Sequence, residues 1–165
     1  MLLLDSPVGS DSDRSIKAGV NLHLFEQSYN LSSHTRGKKL TTWQCVKNCG
    51  ACCHLNPADR PDLADYLTPT ELAHYLKLVG DDGWCIHYDQ QQRICQIYPN
   101  RPRFCRVEPE TFQAMYGINP EDLDEFAIEC CQAQIEGVYG ADSAEMERFQ
   151  TALEISAQDG KRGRP

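Results

Sequence analysis

A small, α-rich α+β domain is the fold class this sequence predicts: irregular, organised by its cysteines, with several helices and one short β-hairpin. Three observations carry that expectation. Helix-start signals recur along the second half, each followed by apolar residues at helical spacing. Two short strand-like pieces flank a polar turn. Nine cysteines stand in 165 residues, four of them between positions 45 and 53.

Taken in order, residues 1–40 read as a poorly ordered extension. Asp5, Ser6, Gly9, Ser10, Asp11, Ser12 and Asp13 cannot build a core. Asn21 to Tyr29 predicts a short helix with Leu22, Phe25 and Tyr29 on one side, and Ser32 to Lys39 reads as a linker. The domain proper is expected over 41–157, opening with a cysteine-rich loop from Trp43 to Cys53. At Leu67-Thr68-Pro69-Thr70-Glu71 a helix should start: Thr68 can cap, Pro69 suits the first helical position and Glu71 completes a capping box. Leu72, Tyr75, Leu76 and Val79 continue at helical spacing up to Gly80. Trp84 to Tyr98 predicts the hairpin, turning at Asp89-Gln90-Gln91-Gln92.

Pro109 to Tyr116 gives a short helix stopped by Gly117. Asn119-Pro120-Glu121-Asp122 begins another, carrying Leu123, Phe126, Cys130 and Cys131. Asp142-Ser143-Ala144-Glu145 begins a last one, with Met146, Phe149 and Leu153 on one face. Residues 158–165 are expected to fray, ending in Gly160-Lys161-Arg162-Gly163-Arg164-Pro165.

Composition narrows the function classes. With 41% apolar and 24% charged residues the chain reads as globular. Its 16 basic against 24 acidic residues give a net charge of −8, which argues against a general nucleic-acid footprint. The first apolar run, Leu2-Leu3-Leu4, closes at Asp5, so neither a secretory segment nor a membrane span is expected. That points to the cytoplasm or another reducing compartment, where cysteines act as thiolates rather than disulfides.

The strongest signal is Cys45-x3-Cys49-x2-Cys52-Cys53, in which Cys49-Gly50-Ala51-Cys52 forms a knuckle. Glycine permits the tight backbone path that turns two sulfurs toward one ion. Cys85, Cys95 and Cys105 follow at even spacing, and folding of the hairpin should bring Cys85 and Cys95 together at its open end. Cys130 and Cys131 sit about 100° apart on a helix, so one faces the site and the other the core or a second centre. All nine are candidate metal ligands. His54 and His87 could replace a sulfur, although surface or structural roles fit them better; His23, His34 and His74 read as solvated. The first three cysteines also have the spacing of radical S-adenosylmethionine enzymes, but no alternating strand–helix series follows to build their barrel.

These residues resemble a known family. Trp43-x-Cys45-x3-Cys49-Gly50-x-Cys52-Cys53, Gly83-x-Cys85 and Cys95-x-Ile97-Tyr98-x2-Arg101-Pro102-x2-Cys105-Arg106 are similar to the YkgJ-type cysteine-cluster (CxxCxxCC) family, a zinc- or iron-chelating domain, over about Trp43 to Tyr139. The stretch from Cys105 to Cys131 resembles its cyanobacterial and chloroplast branch. Metal chelation is what the resemblance implies, with Arg101 and Arg106 as cations offsetting thiolate charge or, equally, as salt-bridge partners of the many acids. Flagellin lysine N-methylases carry a similar cluster, yet no S-adenosylmethionine-binding loop is evident here.

Soft thiolates suit zinc and iron–sulfur clusters alike. Eight or nine of them allow two zinc sites, one cluster with spare cysteines, or one of each. The expected function is metal binding, with an iron–sulfur enzyme of redox or modifying activity and a zinc-stabilised interaction module as alternatives. No catalytic set stands out, and a protein partner is not legible.

Overall fold

The computed structural model describes residues 41–159, and within them the fold is the expected small α-rich α+β domain. The extension at 1–40, its helix at Asn21–Tyr29 and the tail at 160–165 lie outside the described residues. Five α-helices follow the cysteine loop: α1 (Leu63–Tyr66), α2 (Pro69–Leu78), α3 (Pro109–Tyr116), α4 (Leu123–Tyr139) and α5 (Ala144–Asp159). Between α2 and α3 lies an antiparallel hairpin of β1 (Tyr88–Asp89) and β2 (Ile94–Cys95).

Local chemistry explains the helix starts. At α2 the Thr68 hydroxyl accepts from the Glu71 amide at 3.3 Å, while the Glu71 carboxylate accepts from the Thr68 amide at 3.1 Å. The capping box is complete, with Pro69 at the first helical position. Arg103 adds an ion pair to Glu71 at 2.7 Å, joining α2 to the segment that carries Cys105. α3 stops at Gly117, whose φ of 69° is the left-handed conformation a helix end favours. The Ser143 hydroxyl accepts from the Met146 amide at 3.2 Å at the start of α5.

Three details differ from expectation. α2 ends at Leu78, because Val79 is extended and bridges to Cys85. Leu76 stays 49% exposed: Tyr75 and Leu78 face the interior, and the apolar stripe is narrower than the sequence spacing implied. The hairpin register also pairs Tyr88, not Cys85, with Cys95.

Three separate apolar clusters make the core. Leu55, Leu67, Tyr75, Leu78 and Cys85 form one, Ala51, Ile135, Met146 and Phe149 a second, and Phe112, Phe126 and Ala127 a third. Glu145, buried beside the second, pairs with Arg93 of the hairpin turn at 2.7 Å and Arg148 at 3.0 Å. Burial opposes its ionisation, but its own backbone amide and these two arginines outweigh that and hold it ionised.

Burial likewise opposes ionisation of Glu71, yet the Thr68 and Arg103 hydrogen bonds prevail and lower its carboxyl below the ordinary value. A depressed folded-state value stabilises the fold above the unfolded carboxylate range, and the contribution is lost as pH falls through the folded value. E71Q is therefore expected to lower stability by roughly 0.5–1 kcal/mol at pH 7, the range of a partly exposed ion pair. Urea melts should show that gap closing below about pH 4. A gap that persists in acid would assign the loss to shape rather than charge.

Candidate metal centre

The site begins with the loop before the first helix, which is tied down along its length by α4, α5 and the hairpin. The Trp43 amide donates to Asp124 at 2.9 Å and its indole N–H to Cys131 Sγ at 3.3 Å. Tyr139 Oη donates to the Cys49 carbonyl at 2.8 Å, and Arg93 reaches the same oxygen at 3.0 Å. Gln134 donates to the Ala51 carbonyl at 3.1 Å. These partners satisfy carbonyls that the loop's irregular path leaves without ladder bonds.

Within the loop, Asn48 and Gly50 take left-handed φ values of 60° and 71°. They turn the chain into a 3-10 turn over Ala51–Cys53, closed by Cys53 N–H to the Gly50 carbonyl at 2.8 Å. Gly50 also lies against the Tyr88 phenol: a Cβ there would overlap it. The predicted knuckle glycine is thus required twice, for its backbone angle and for the ring packed over it.

The remaining cysteines arrive on separate elements. Cys85 N–H donates to the Cys53 carbonyl at 2.8 Å. Cys95 lies on β2, and Cys105 closes a 3-10 turn over Arg103–Cys105 that follows Pro102. Cys130 and Cys131 lie on α4. All nine line a single cavity of about 730 Å³, and none is in a disulfide. Cys45 and Cys52 are accessible, but Cys52 opens into this cavity, where burial opposes its charge. Among the described residues the side chains stand along the cavity walls; no three His, Cys, Asp or Glu groups meet at one ion position.

Burial dominates the thiol electrostatics. It pushes Cys105, Cys130 and Cys131 up to about 12, and neighbouring thiols add to the effect. Cys45, Cys49 and Cys85 are raised for the same first reason. The exception is the adjacent pair. The Cys53 thiol donates to Cys52 sulfur, favouring the thiolate on Cys52 and holding the proton on Cys53. A bound cation would replace these protons, which is how metals capture buried thiols.

Arginines supply the positive charge. Arg101 lies over the Tyr98 ring at 3.9 Å, donates to the Tyr98 carbonyl at 3.2 Å, and favours ionisation of Cys45, Cys52 and Cys105. Arg106 instead pairs with Glu108 at 3.5 Å and donates to the Arg101 carbonyl at 2.9 Å. The two arginines expected to act alike therefore divide: one serves the thiols, the other braces it. Two more escaped the sequence reading. Arg60, held by the His54 carbonyl at 2.8 Å, favours the Cys52 thiolate, and Arg93 favours that of Cys49. Arg60-Pro61 repeats the dipeptide Arg101-Pro102, the one signal that could have drawn attention to it.

Of the histidines, His54 lines the cavity, edge-on to Trp84 at 5.1 Å. His87 is absent from the cavity lining, and His74 is exposed beside Phe104. His23 and His34 lie outside the described residues.

A cavity walled by thiols and backed by arginines defines a cysteine-rich metal-binding class of domain. The chain belongs to the CxxCxxCC family, described as "Putative zinc- or iron-chelating domain", which its residues 44–131 match. The match ends at Cys131, short of the Tyr139 boundary expected from sequence. An uncharacterized protein of Methanocaldococcus jannaschii is 28% identical over 131 residues, covering 67% of this chain and 66% of that protein, just under two thirds of its length. No solved structure matches. Family membership supports metal binding, and among the described residues no helix is long and apolar enough to cross a membrane.

Proposed function

We propose that this protein holds zinc or an iron–sulfur cluster through its clustered cysteine thiolates in a reducing compartment such as the cytoplasm. The observation that carries this reading is the convergence of all nine cysteines, from five separate stretches of chain, on one cavity. The donor set fits either group: Cys45, Cys49, Cys52, Cys53, Cys85, Cys95, Cys105 and Cys131 offer soft thiolates, with Arg60 and Arg101 to offset their charge. Zinc would supply a closed structural crosslink, and an iron–sulfur cluster a redox centre.

Metal and sulfide analysis with visible spectroscopy, on protein purified without oxygen, tests it. Iron with labile sulfide and broad absorbance near roughly 400 nm would identify a cluster. Colourless protein with about one or two zinc ions per chain would identify a structural or chelating site. Metal-free protein with paired cysteines would overturn the reading.

A second reading, a cluster enzyme with redox or modifying activity, is favoured by the cavity's volume. About 730 Å³ falls within the roughly 300–1,000 Å³ of small-molecule pockets, leaving space for a substrate beside a metal group. Visible absorbance that shifts on adding a substrate would support it.

A further inference from the structure

We propose that the cavity also takes a planar aromatic carboxylate, its charged end on Arg60 and its ring against Tyr66 and Tyr116. The inference deepens the second reading above, on which it rests for a metal group beside the ligand, and names the class of molecule that would share the cavity.

Charge pairing singles out Arg60. The described residues hold six arginines. Four pair with carboxylates: Arg93 and Arg148 with Glu145, Arg103 with Glu71, and Arg106 with Glu108. Arg60 and Arg101 have no carboxylate within ion-pair distance among the described residues, and both line the cavity. Asp59 and Asp62 line it as well, but Asp59 lies 3.8 Å from His54 Nδ1 instead. Thiols account for Arg101, which sits over the exposed Tyr98 ring at 3.9 Å and acts on Cys45, Cys52 and Cys105. Arg60 acts on Cys52 but also on two cavity tyrosines, Tyr75 and Tyr116.

The surroundings of Arg60 build the rest of a binding site. It closes the 3-10 turn Pro57–Asp59 and is followed by Pro61, which restricts its backbone. One of its five N–H donors is used on the His54 carbonyl at 2.8 Å, while Tyr75 Oη donates to the next carbonyl, Leu55, at 2.9 Å. The guanidinium keeps a planar fork that matches the two oxygens of a carboxylate. The wall is aromatic and apolar. The Tyr66 and Tyr116 rings lie 5.1 Å apart, Phe112 stands edge-on to Tyr116 at 5.3 Å, and Leu63 and Met115 line the same cavity. Apolar walls with one placed charge suit an organic acid with a ring; inorganic phosphate would leave those rings without a partner. The thiol beside Tyr116 is Cys130, which the donor set above leaves out, so the ring and the metal group occupy different walls.

Calorimetric titration of the full-length chain as purified without oxygen tests the site, with 2-naphthoate as probe and 2-naphthalenemethanol as its uncharged counterpart. The wild type should bind one naphthoate per chain, about tenfold or more tighter than the alcohol, the worth of a hydrogen bond to a charged group. R60Q should bring the two affinities together, R101Q should keep them apart, and Y116A should weaken both ligands. Equal affinities for the two ligands in the wild type would overturn the proposal, and that comparison depends on no variant folding. A preference lost in R101Q but kept in R60Q, or Y116A binding both ligands as the wild type does, would also overturn it. Metal analysis of the same samples separates the two readings. A metal-loaded chain that binds no naphthoate would overturn this site alone. Metal-free chain that binds naphthoate with the preference carried by Arg60 would uphold the site and overturn the metal-binding reading.

Discussion

Complete removal of metal from the full-length chain should collapse the far-ultraviolet circular dichroism of the domain between Trp43 and Cys131 and abolish its cooperative thermal transition. The reason lies in how the interior is divided. The three apolar clusters hold five, four and three buried residues, and members of each line the thiol cavity. The cavity therefore lies where a continuous core would join them. Structural zinc contributes on the order of 10–16 kcal/mol in small zinc-finger peptides, against a net stability of about 5–15 kcal/mol for a typical domain. Without a metal, buried thiols would line a space with no apolar partner to fill it. Circular dichroism that survives verified metal removal would defeat this expectation and make the metal a passenger on a self-sufficient fold.

The second large effect is expected at Gly50. G50A should lower both melting temperature and bound metal, although alanine adds one carbon. A left-handed backbone costs a non-glycine residue about 1–2 kcal/mol. The added Cβ would also displace the Tyr88 ring, which stacks on Trp84 with centroids 5.0 Å apart. Because Gly50 lies between Cys49 and Cys52, the loss should appear in metal content as well as stability. Measuring G50A in the wild-type and Y88A backgrounds separates the causes, since neighbours that collide are not additive. A smaller loss in Y88A assigns the effect to the ring. Equal losses would leave backbone strain as its whole origin.

What was legible in the sequence was what a few neighbouring residues decide among themselves. Thr68, Pro69 and Glu71 build their capping box without help from the rest of the chain, and Gly117 ends α3 by its own backbone freedom. The four-cysteine loop and its knuckle glycine were visible for the same reason. The motif could not say where α2 stops, because Val79 is withdrawn from the helix by Cys85, six residues on. Nor could it tell Arg101 from Arg106, since both line the cavity and only the folded segment pairs Arg106 with Glu108.

By itself the sequence determined the fold class, the starts of α2 to α5 and the presence of a concentrated thiolate site, because capping, turn chemistry and residue type act over one or two turns of chain; it did not signal the short α1. Only the tertiary structure decided that all nine cysteines share one cavity, that Arg60 and Arg93 attend it, and that Cys131 rather than Cys130 faces the loop. Adjacent positions on α4 are equivalent until something packs against one side of the helix. Here Trp43, 88 residues away in sequence, makes that choice by placing its indole N–H on the Cys131 sulfur.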